Sequence, residues 1–154
     1  LHFQNKVADM TKTIQGAVKL SAQMMEKIQY IKQTILNTTA ETKGLMEEAE
    51  RIEDELDQVI FAIHGNTPKA SKEEIPPQPV PMIQRLNSMV YAHYRSTSEI
   101  TETERTNYTI LKEKFPAVLK RLKTLKQEDI KNLEEKLDAL NAPWTLGRIP
   151  EMKD

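Results

Sequence analysis

The 154-residue sequence contains no cysteine, only four glycines, one tryptophan, and 5% aromatic residues in all. Without cysteine there is no disulfide, no thiolate metal site and no cysteine nucleophile. Four glycines are too few for the turns of a sandwich, barrel or propeller, or for a phosphate-cradling loop, which removes most all-β and nucleotide-binding folds. Scarce aromatics exclude a large aromatic-lined pocket. The net charge is −1 and the pI near 6.4, so no global field is directed at nucleic acid or at an anionic membrane. No apolar run approaches the ~20 residues of a membrane span. Leu1 to Met10 lacks the charged-then-apolar order of a signal peptide, and a leucine at position 1 is read as a fragment of a longer protein or a processed chain. The hydrophobic share, 38%, is lean beside the ~45–50% of ordinary globular domains.

What is present is a regular spacing of apolar residues. Phe3, Val7, Met10, Ile14, Ala17, Ser21, Met24, Ile28, Ile31 and Ile35 follow one another in steps of four and three, the seam of a helix packed at a shallow angle. Gly16 interrupts it at a cost of about 1 kcal/mol. Thr38 with Glu41 has the form of a capping box opening a second helix, whose seam is Leu45, Ala49, Ile52, Leu56, Val59 and Ile63 and whose stop is Gly65-Asn66. Five of the eight prolines follow (Pro68, Pro76, Pro77, Pro79, Pro81), which predicts an extended polyproline-like connector over 65–81. Ile83, Leu86, Val90 and His93 mark a third helix. Thr101 with Glu104 is a second capping box, followed by the seam Tyr108, Leu111, Phe115, Val118, Leu122 and Leu125, with Pro116 inside it as an expected kink. The pattern then slips by one residue: Ile130 stands where an apolar residue is due at 129, so the helix either breaks or rotates its apolar face. Ile130, Leu133, Leu137 and Leu140 continue it to Ala142-Pro143. The expected fold is therefore all-α, an antiparallel up-down bundle of four to five helices in one domain, 1–154. Its helices cover about 3–36, 39–64, 82–95, 101–125 and 128–141, with an irregular tail over 142–154.

Charge is segregated along the chain. Residues 3–37 carry a net +3, 41–64 a net −6 and 101–126 a net +4. An acidic second helix flanked by basic first and fourth helices favours their lying side by side, although each exposed pair contributes only ~0–1 kcal/mol.

Reactive constellations are scarce. A di-metal bundle needs Glu-x-x-His on two helices; His2, His64 and His93 offer none, and His93 on a seam reads as a core histidine. Glu47, Glu48, Glu50, Glu53, Asp54, Glu55 and Asp57 mostly avoid the seam and read as a solvated face, and no activated serine or phosphate loop is present. Lys112, Lys114, Lys120, Arg121, Lys123 and Lys126 form a basic group, but no aromatics interleave to stack bases, and the acids of 41–57 offer it an intramolecular partner. The methionines, Met24, Met25, Met82 and Met89 among them, read as core filling more than as an adaptable groove. No cofactor, no metal, no nucleic acid and no membrane insertion is expected.

One segment is more specific than these patterns require. Residues 81–108, PMIQRLNSMVYAHYRSTSEITETERTNY, and the closing Ala142-Pro143-Trp144-Thr145 and Gly147-Arg148-Ile149-Pro150 resemble the C-terminal part of large exported Bacteroidetes-type proteins with a sortilin-like or Asp-box (BNR) repeat β-propeller, usually labelled glycosyl hydrolases. Members tend to carry proline at the position of Leu146 and glycine at that of Ala92. The helical pair from Phe3 to Gly65 fits the long coil preceding the motif there. The resemblance implies a helical region outside the propeller, in an exported (periplasmic or extracellular) parent, with no catalytic residue of its own. The propeller of the same parent chain is then the expected partner, and self-association through the long first helix is the alternative. Arg95, Trp144 and Arg148 are expected as contacts to another domain or as local clasps. The alternatives are an accessory part of a glycan-hydrolysing site completed by the missing propeller, or a coiled-coil assembly module.

Overall fold

The computed structural model describes residues 2–65, 80–95 and 99–152, with the backbone alone for 92–95. Among these residues all regular structure is helical: α1 (His2–Asn37), α2 (Leu45–His64), α3 (Met82–Arg95), α4 (Glu102–Thr124), a π-helical turn (Leu125–Ile130) and α5 (Lys131–Ala139). The expected polyproline connector lies outside the described residues apart from its ends at Gly65, Val80 and Pro81.

The seams become the core. On α1, Val7, Ile14, Ala17, Ser21, Met24, Ile28, Ile31 and Ile35 are buried, while Phe3 and Met10 pack partly against them. All six seam residues of α2 are buried, as are Leu111, Phe115, Val118, Leu122 and Leu125. On α3 the buried pair is Leu86 and Met89, whereas Val90 is 43% exposed and lines a groove against the start of α1. The third seam therefore departs from its expected line by one residue.

Two boundaries differ from the sequence reading. The second helix opens at Leu45, not near 39. The Thr38 hydroxyl donates back to the Thr34 carbonyl (2.7 Å) and its amide to the Ile35 carbonyl (3.2 Å), so Thr38 finishes α1 instead of capping α2. Gly44, at φ +83°, makes the turn into α2. At the other slip, α4 and α5 are not separate helices. The π-helical turn joins them without a break and takes up the one extra residue, so that Ile130, Leu133 and Leu137 return to the buried face. The expected capping box at Thr101–Glu104 forms, with both reciprocal bonds present. The helix continues through Pro116, which is exposed, as is Lys112, whose carbonyl loses its i+4 donor.

Contacts between helices fix their directions. As α2 rises from Glu48 through Arg51 to Gln58, its partners fall from Lys136 (2.9 Å) through Asp129 (3.6 Å) to Arg121 (3.0 Å), so α2 runs opposite to α4 and α5. Phe3 meets Tyr108 (ring centroids 5.5 Å) and Lys27 meets Glu134 (2.9 Å), so α1 runs with them. Arg85 of α3 donates to Asn107 (2.9 Å), and Gly65 touches Pro81. The helix α3 thus takes over from α2 along the flank of α4, and the six elements make three long arms.

Candidate functional site

The arrangement with the densest polar chemistry is at the C-terminal end of α5. There the chain leaves the helix through paired bonds: the Asn141 amide donates to the Asp138 carbonyl (3.1 Å) and the Ala142 amide to the Leu137 carbonyl (3.1 Å). With Asn141 at φ +54°, this is a Schellman motif using asparagine in the left-handed position. Pro143 prevents further helix, Thr145 is buried, and the Arg148 amide closes a turn onto the Thr145 carbonyl (3.2 Å).

That turn points Arg148 back at α5. Its Nη1 and Nη2 donate to the two carboxylate oxygens of Asp138 (3.0 and 2.9 Å), and its Nε meets Glu134 at 2.6 Å. Its guanidinium carbon stands 4.5 Å from the centre of the Trp144 ring, in cation–π range. Lys27 of α1 takes the second oxygen of Glu134. A buried carboxylate is thus shared between two cations, which offsets its desolvation. Hydrogen bonding to Asp138 raises the affinity of Arg148 for its proton; partial burial opposes this and Glu134 reinforces it.

Of the three residues expected to make contacts, Trp144 and Arg148 are brought together, and the side chain of Arg95, at the end of α3, lies outside the described residues. The carboxylates Glu134 and Asp138 and the cation Lys27 were not singled out in the sequence. The signal for the first two was their i,i+4 spacing beside the Leu133–Leu137 seam, which sets both on one side of the helix.

Several grooves lie elsewhere on the surface. A groove of about 510 Å3 lies between Gln4–Gln15 and Val90. One of about 210 Å3 sits where α2, α3 and α4 meet, lined by Phe61, Gly65, Pro81, Ile110 and Lys114. One of about 260 Å3 adjoins the clasp at Asn141, Trp144 and Met152. Two further groups have shifted protonation. The Tyr30 hydroxyl is raised by its bond to Glu26, and the Asp57 carboxyl by partial burial and by Glu53 and Asp54. Neither lines these grooves.

Among the described residues no three His, Cys, Asp or Glu side chains group as a metal ion requires, and no helix is long and apolar enough to cross a membrane. His2 and His64 are exposed and far apart in sequence; the side chain of His93 lies outside the described residues. The acidic and basic helices meet only in part. Glu53 binds Lys32 and Gln29 of α1, and Glu48 binds Lys136 of α5, whereas among the described residues only Arg121 of the α4 basic group reaches α2, at Gln58. Compared with protein-family models, curated proteins and solved structures, the chain matches none.

Proposed function

We propose that this chain is a non-catalytic helical module, an up-down antiparallel bundle forming the C-terminal region of a larger exported protein with a sortilin-like, Asp-box propeller, where it serves interdomain packing or protein interaction. The observation that carries the reading is the closed state of its buried charge. Glu134 is held between Lys27 and Arg148, and Arg148 between Glu134, Asp138 and the Trp144 ring. Groups committed to one another in this way hold a chain end in place and are not poised to react with a substrate. Trp144 remains 38% exposed, which leaves part of its surface for a neighbouring domain.

The test compares the full-length parent with a version ended before Leu1. Unchanged turnover on glycan substrates together with a lowered melting temperature of the remaining part supports a packing role. A loss of turnover with unchanged stability would instead make the module part of an active site.

A further inference from the structure

Two exposed helix faces carry opposite charge with matching spacing. On α2, Glu47, Glu50, Asp54, Asp57 and Phe61 follow in steps of three and four and all five are exposed. On α4 and the turn after it, Lys112, Pro116, Leu119, Lys123 and Lys126 do the same, also all exposed. Neither set uses its charges inside the molecule: none of these four acids and three lysines belongs to an ion pair among the described residues. Each face also presents one large apolar side chain, Phe61 at 37% and Leu119 at 38% exposure. When the two are laid antiparallel with Phe61 beside Leu119, Asp57 falls beside Lys123 and Asp54 beside Lys126. Partial burial and then crowding by Glu53 and Asp54 disfavour the ionised Asp57 carboxyl, and a cation beside it offsets that repulsion.

We propose that the partner of the α4 lysine face is the α2 acidic face of a second copy of this chain. Both faces belong to one sequence whose net charge is −1, so two copies approach without bulk repulsion. The contact joins two different surfaces and is heterologous: in a pair one copy keeps its acidic face free and the other its basic face, and association extends beyond the dimer as concentration rises. Exposed pairs around a small apolar centre give a weak contact that salt screens. The proposal is independent of the parent protein, so attachment to a propeller and self-association fail separately.

Sedimentation of the chain over a range of concentration tests it at low and high ionic strength. The chain is expected to associate at low salt and to dissociate as salt is added. Lys123→Glu with Lys126→Glu, and separately Asp54→Lys with Asp57→Lys, are each expected to weaken association by roughly tenfold or more. An equimolar mixture of the two double variants is expected to restore it, because each then supplies the charge the other lacks. All these positions are exposed, and circular dichroism verifies that each variant keeps its helix. A chain that stays monomeric at low salt, or association untouched by both double variants, overturns the proposal. So does a monomer that binds phosphatidylserine vesicles through Lys123 and Lys126, which would assign the lysine face to a lipid surface.

Discussion

Gly16→Ala and Gly44→Ala make the same chemical change in equally open surroundings. A β-carbon built at either position meets nothing within 4 Å, so neither substitution clashes. The backbones differ. Gly16 lies in the exposed interior of α1, where alanine is about 1 kcal/mol better than glycine. Gly44 sits at φ +83°, where an L-residue costs about 1–2 kcal/mol. Alanine's smaller unfolded-state entropy returns part of that, about 0.4–1 kcal/mol. Gly16→Ala is therefore expected to stabilise by about 1 kcal/mol, a rise of roughly 2–4 °C in melting temperature for a chain of this size. Gly44→Ala is expected to lower it by a comparable or smaller amount. Thermal and urea unfolding followed by far-UV circular dichroism measures both, in dilute solution so that association does not contribute. Two shifts of the same sign would refute the reasoning, and destabilisation by Gly16→Ala would mean that α1 is not an exposed, regular helix at that point.

Three other outcomes are expected. Arg148→Ala removes the fork on Asp138 and half the neutralisation of Glu134, costing about 1–3 kcal/mol by urea unfolding, with altered fluorescence from the single tryptophan; Arg148→Lys recovers only part, since an ammonium cannot bond both carboxylates in the same plane. Deleting Gln127 is expected to turn the π-helical turn into ordinary α-helix and bring Ile130 onto the next step of the seam, leaving the melting temperature within a few degrees; a collapse of stability would show that the turn has another purpose. Because the folded Asp57 carboxyl is raised above its ordinary value, the ionised form is the disfavoured one, and its penalty is present above the folded titration range and vanishes below the unfolded one. Asp57→Asn is accordingly expected to raise the melting temperature at neutral pH, with the gain fading as pH falls toward about 4 and absent below it.

Much of the fold is legible because burial on these helices follows the alternation of four and three. Ten of ten seam positions on α1, from Phe3 to Ile35, are wholly or partly buried, since a long helix with one apolar stripe has one way to hide it. The one-residue slip after Leu125 is visible as a slip, but choosing between a break and a rotation depends on whether backbone bonds rearrange locally, which apolar spacing does not encode. Thr38 misleads for a related reason: its hydroxyl donates to the Thr34 carbonyl in the turn before it, whereas a cap would have it accept from an amide in the turn after it. Val90 and Met89 are adjacent on a short helix, and which is covered depends on the placement of α1. The clasp is half legible. Trp144 and Arg148 stand out as unusual residues in a tail, whereas Glu134 and Lys27 look like surface charges until the fold carries Lys27 from more than a hundred residues away.

The contact between Gly65 and Pro81 has an effect on what the chain tolerates. Gly65, at φ +82°, would place a β-carbon 2.5 Å from the Pro81 ring, so the end of α2 and the start of α3 meet at one spot of the arm they share. The two ends of the segment 66–80 are therefore held at one point of the bundle by their described neighbours. Its length is then decoupled from the spacing of the arms, and each doubling adds only about 0.6 kcal/mol of closure entropy. The junction between Gly65 and Pro81 is thus the position at which this chain can gain or lose sequence, or carry an inserted peptide, while its three arms keep their register.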